Sequence, residues 1–203
     1  VLLGIAAGLL IWRWKSLPRV RTEEAVSSRE FWMFIGSFIL LLSATHIIIL
    51  TSLPVWAPLA KLITGKEIAP PTEVVESYNS VQVWVAVIMG LLTGSVLYLK
   101  FKKSDGRKTM KKIGGVAIGA LLLSGAIAYA QSLTSLPILL MLFSASFTIV
   151  GMLYYAFGVQ TGHWMKRGAA LSHFGFGVFL LGILISGYNK QVISYNTTGA
   201  VLD

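Results

Sequence analysis

Apolar runs at roughly 1–14, 31–53, 81–99, 113–131, 135–157 and 168–187 alternate with short segments that carry nearly all of the charge. A run of about 19 apolar residues matches the ~30 Å of hydrocarbon in a bilayer, where every backbone N–H and C=O must find its partner within the protein. No period-2 alternation accompanies these runs, which argues against a barrel and for spanning helices. The sequence therefore predicts an all-α integral membrane protein of about six transmembrane helices. With 55% hydrophobic and 12% charged residues, the chain is too apolar for an ordinary soluble domain. The first run is too short to cross alone and reads as the end of a helix that starts upstream. Residues 1–203 thus read as a piece of something longer.

The net charge of +9 raises nucleic acid as a partner. The basic residues, however, lie between apolar runs rather than along one amphipathic face, so they read as topology signals facing membrane lipid. Residues 15–30 with Arg13 hold five Lys and Arg, 100–112 hold seven and 158–167 hold two; loop 54–80 has two and the tail one. The asymmetry of 14 to 3 predicts that the first three segments are cytoplasmic and both chain ends outer, or periplasmic. Residues 1–187 then form a transmembrane bundle with outer loop 54–80. Residues 188–203, with β-branched and aromatic residues at strand-like spacing, begin an outer tail. Pro18 and its basic neighbours stop the first helix, and Ser27 and Ser28 before Arg29-Glu30 offer capping for the second. Trp56, Tyr78 and Trp84 suit the membrane interface, so the outer loop reads as an interfacial linker or a lip for an outer partner. Gly4-x-x-x-Gly8 and Gly115-x-x-x-Gly119 permit close helix approach without specifying function.

The absence of cysteine removes thiolate metal sites and thiol nucleophiles. All eight Asp and Glu lie in loops or tails, and no Lys or Arg occupies the middle of a span. An ion-coupled carrier usually needs such a buried charge. There is no phosphate loop, Ser-His-Asp set or HExxH helix. Three histidines remain. His163 precedes the last span, where a solvated imidazole is unremarkable. His46, beside Ser43 and Thr45 in the second span, reads as a hydrogen-bonding group within the bundle or, as the weaker alternative, a metal ligand.

His173 differs, because it lies inside the uncharged run 168–187, and an ionisable group in hydrocarbon marks function by default. Positions three and four away on a helix put Ala169, Ala170 and Gly177 around it, with Gly175 nearby. Small residues beside one imidazole leave room for a flat, wide ligand such as a porphyrin, with His173 as axial ligand of the iron and Phe174, Phe176 and Phe179 as walls. The alternative is that the small residues bring a neighbouring helix close and His173 hydrogen-bonds across it.

The run Gly168-Ala-Ala-Leu-Ser-His-Phe-Gly resembles the "G-x-x-x-A-H-x-G" helix of the CcmF family, the haem-handling membrane proteins of bacterial cytochrome c maturation. Similar pieces follow the family's order. Leu-Ile-Trp-Arg-Trp-Lys15 closes the first run, Ser28-Arg29-Glu30 opens a helix, and Thr51-Ser-Leu-Pro54 is similar to "G-T-x-Y-P". Residues 65–79, ending in Glu76-Ser-Tyr-Asn79, are similar to an outer loop of that family, and 81–160 match mainly in hydropathy. Leu50, Leu53 and Ser172 depart from the motifs, and His46 has no counterpart.

The resemblance implies that His173 is an axial ligand of a haem b held within the bacterial inner membrane. That haem would reduce the iron of an incoming haem before its attachment to apocytochrome c. The implied partners are the upstream portion or other subunits of a cytochrome c maturation complex, apocytochrome c and a haem-delivery protein. The family's tryptophan-rich segment and other haem-binding histidines have no match in this chain, which reads as a C-terminal portion or a separately encoded half. Two other classes stay open: a cofactor-free structural subunit of a membrane complex, and a carrier of a small solute.

Overall fold

The computed structural model describes residues 2–16, 25–101, 104–160 and 167–190, and among these every regular element is helical. Helix α1 (Leu2–Arg13) ends in a 3₁₀ turn, Trp14–Ser16, and is exposed wherever its side chains are described. Then come α2 (Arg29–Thr51), α3 (Leu53–Thr64), α4 (Val74–Val96), α5 (Gly106–Ala130), α6 (Leu136–Tyr154, continued by a wide π turn over Tyr155–Val159) and α7 (Gly168–Tyr188). Five of these, α2 and α4 to α7, are long and apolar enough to cross a membrane. At 1.5 Å per residue, the 23 residues of α2 reach about 34 Å. The predicted sixth span corresponds to α1, with 12 residues. His163 and the tail from residue 191 lie outside the described residues.

Local chemistry explains the helix boundaries. Ser28 caps α2 by accepting a hydrogen bond from the Phe31 N–H at 3.2 Å, as its position before Arg29-Glu30 predicts. Asp105 does the same for α5 through the Lys108 N–H, so α5 starts well before its apolar run and carries Arg107, Lys108, Lys111 and Lys112 on its first turns. The segment 100–112, expected as a loop, is thus half helix, because a helix satisfies its own backbone in headgroups as well as in hydrocarbon. Loop 54–80 is corrected in the same way. It holds α3, which starts at Leu53 with Pro54 in its first turn, tolerates Pro58 and stops at Gly65 in the left-handed conformation (φ 71°), followed by the first turns of α4.

Helix α6 is the centre of the bundle, touching α4, α5 and α7. Its small residues let backbones meet. A Cβ on Gly151 would stand 3.0 Å from the Gly94 carbonyl oxygen, and one on Gly94 would stand 2.6 Å from the Phe147 ring. On α7, a Cβ on Gly177 would stand 2.9 Å from the Ile149 side chain. Two hydroxyls buried in this packing are satisfied by main chain: Ser144 donates to the Met141 carbonyl at 2.9 Å, and Thr148 donates to the carbonyls of Gly90 at 2.7 Å and Ser144 at 3.0 Å. The buried Ser146 hydroxyl has no partner among the described residues. Tyr98, just beyond α4, donates to the Gly151 carbonyl and stacks on Tyr154. Of the two small-residue patterns singled out in the sequence, Gly4, Gly8 and Gly115 meet nothing, and Gly119 approaches Val150 at 3.2 Å. The pattern that brings helices together is Gly90-Leu-Leu-Thr-Gly94 on α4.

Candidate functional site

On α7 the buried positions are Ala170, Gly177, Leu180 and Leu184, a stripe at helical spacing that lies against α6. His173 and Phe174 flank this stripe on opposite sides. Phe174 borders a cleft with Met152, Ala156 and Arg167, while His173 borders a different one, of about 350 Å³, shared with α2 and α4. The small residues expected beside His173 are therefore not gathered at one opening. Ala170 and Gly177 are taken up by α6, and Ala169 is exposed. Nor do the expected aromatic walls line the His173 cleft: Phe176 packs on the core and Phe179 points outward.

The room beside His173 comes instead from α2. Gly36 lacks the side chain that would fill the space, and a Cβ there would only reach ordinary contact, 3.6 Å from Leu92 and 3.9 Å from Met89. Met33, Gly36, Ser37 and Leu40 form one wall, and Met89, Leu92 and Thr93 the other. Ser37 donates back to the Met33 carbonyl at 3.0 Å. Among the described residues the Thr93 hydroxyl and the His173 imidazole have no hydrogen-bond partner, so both are free to meet something in the cleft. Arg29 closes one end, where its Nε and Nη2 donate to the Leu99 carbonyl at 3.1 and 2.8 Å. That leaves further guanidinium N–H groups on the cleft's margin.

His46 is not part of this site. It lies ten residues beyond Gly36 on α2, about 15 Å along the axis. There Ser43 donates to Gln82 Oε1 at 2.7 Å, which turns the Gln82 amide nitrogen toward His46 Nδ1 at 3.3 Å. Tyr78 packs edge-on to the ring, and its hydroxyl meets Thr51 at 3.1 Å. His46 is thus held in a ladder of polar contacts joining α2 to α4, as expected for a hydrogen-bonding residue within the bundle. Among the described residues no three His, Cys, Asp or Glu converge as a metal site.

The lining offers the donors that an iron porphyrin would need on one side only: one unbonded imidazole, apolar and thioether walls, and a guanidinium at one end. Among the described residues it holds no second imidazole. Gly36, Met33 and Met89 were missed in the sequence because they are distant from His173 along the chain. The only local signal was the pair Gly36-Ser37 interrupting the bulky run that begins at Phe31. No family model, curated protein or solved structure matches the chain, so function rests on the site's own chemistry.

Proposed function

We propose that the chain is the haem-holding membrane portion of a CcmF-like cytochrome c haem lyase, with the basic end of the bundle facing the cytoplasm. The observation that carries this reading is His173, an imidazole without a hydrogen bond among the described residues, bordering a cleft between spanning helices. His173 would hold the iron of a haem b from one side, and Arg29 would meet a propionate at the cleft's end. Met33, Leu40 and Leu92 would exclude water from it. When bound, the group supplies a one-electron couple. The second axial ligand would come from an upstream portion or a partner subunit, and the same assembly would bring apocytochrome c and the incoming haem.

The test is the reduced-minus-oxidised visible spectrum of the protein purified from membranes together with the rest of its complex. A reversible haem b spectrum that is lost in His173→Ala and shifted in His173→Met supports the reading. A haem spectrum unchanged by both substitutions, or a complex free of haem, overturns it. The packing of Ala170 and Gly177 on α6 favours a second reading, a cofactor-free structural subunit whose last helix is simply a packing element. In that case the purified complex carries no haem spectrum and His173→Ala leaves its assembly unchanged.

A further inference from the structure

Helix α5 carries Lys108, Lys111 and Lys112 at spacings of three and four residues, and the same face continues inward to Gly115 and Gly119. Two adjoining clefts share Lys111 and Lys112. One, of about 360 Å³, is completed by Tyr98, Lys100, Asp105 and Lys108; the other, of about 340 Å³, by Gly115, Val116, Val150 and Tyr154. The surface thus changes within two turns from cationic to apolar.

Three observations give it an occupant. Asp105 pairs with Lys108 at 3.7 Å, and Lys111 and Lys112 have no acidic partner among the described residues. The Tyr98 hydroxyl is committed to the Gly151 carbonyl, whereas that of Tyr154 has no hydrogen bond among the described residues. A Cβ on Gly115 would meet nothing within 4 Å, so the groove between α5 and α6 is open below the lysines. We infer that this face is a binding site for an anionic phospholipid of the surrounding bilayer. The phosphate lies between Lys111 and Lys112 with Tyr154 as a third donor, and one acyl chain lies along Gly115 and Val150. A soluble phosphate compound would use the cations but leave the apolar groove empty; a zwitterionic lipid would fill the groove but leave two cations uncompensated.

Native mass spectrometry of the full chain in detergent, with phosphatidylglycerol or phosphatidylcholine added, tests this. Phosphatidylglycerol should be retained preferentially. At roughly fivefold per lysine, K111Q/K112Q should lower its retention about 30-fold, and K111R/K112R should preserve it. Gly115→Leu, which fills the groove and alters no charge, should lower retention without changing helix content by circular dichroism. Equal retention of the two lipids overturns the proposal, as does unchanged retention in either K111Q/K112Q or Gly115→Leu. Displacement of the lipid by millimolar glycerol phosphate would show a headgroup-only site and also overturn it.

Discussion

Helices α2 and α6 are both apolar and long enough to span a membrane, yet in the 18-residue apolar stretch of each, 6% of one and half of the other is buried. Composition does not separate them; the size of their side chains does. In α6, Ser144, Ala145, Ser146, Thr148 and Gly151 let α4 approach to backbone contact and α7 bring its Gly177 against the Thr148 and Ile149 side chains, and dispersion over that surface holds the three helices together. In α2 the bulky residues Phe31 to Leu42 hold neighbours off, and only Gly36 and Ser43 are buried. What joins α2 to the bundle is polar: the Arg29 clamp on Leu99 and the Ser43–Gln82–His46 ladder. The cleft beside His173 falls where the tightly packed half meets the loosely packed one.

Substitutions can break this contrast. The largest effect is expected on the α4–α6 side, where Gly94→Ala drives a methyl into the Phe147 ring and should cost about 1–3 kcal/mol. Reversible unfolding in mixed micelles measures it, and a neutral result would mean that the two helices do not meet as described. Tyr98→Phe should cost about 0.5–1.5 kcal/mol, because the Gly151 carbonyl keeps its helical N–H donor from Tyr155 after losing the phenol. The same residue makes this side alkali-sensitive. Burial, followed by the neighbouring phenols of Tyr154 and Tyr155, pushes the Tyr98 pKa up in the folded protein. The folded state therefore favours the protonated phenol. Its contribution is fully present below about pH 10, where unfolded tyrosine begins to ionise, and is lost as pH rises beyond. A pH series comparing the protein with Tyr98→Phe should converge on the alkaline side.

On the α2 side the expected effects are smaller. Gln82→Leu removes the centre of the ladder and should cost about 0.6 kcal/mol, the average for such bonds in membranes. A cysteine cross-linking rate between α2 and α4 would register the loosening. Gly36→Ala should keep or raise stability, by up to about 1 kcal/mol from the better helix former, since its Cβ enters ordinary contact, while narrowing the His173 cleft. Under the proposed function, stability retained with a weakened haem spectrum is the combination that separates the cleft from the core.

Much of the bundle was legible in the sequence because hydrocarbon imposes a length and forbids unpaired backbone. Each of the five long helices falls on an apolar run. The helical starts at Leu53, Val74 and Gly106 were not legible, since amphipathic and basic turns stay helical outside hydrocarbon without leaving an apolar signature. The helix contacts were read only in part. Gly115-x-x-x-Gly119 and Gly90-x-x-x-Gly94 are the same pattern, and nothing in the pattern tells which face a partner will cover. The site shows the same limit. His173 stood out as polar in an apolar run, and spacing put Ala170 and Gly177 beside it, but their occupation by α6 and the opening made by Gly36 depend on residues remote in the chain.

The anchoring of α2 also governs how its cleft can change shape. At one end the Arg29 N–H donates to the Lys100 carbonyl while its side chain holds Leu99; at the other, Thr51 meets Tyr78. A rod pinned near both ends cannot slide along its neighbour, but it can bow and roll between the pins. Any widening of the cleft would have to be sideways, like a slit in a panel hinged top and bottom, so that a planar guest would enter in the plane of the bilayer.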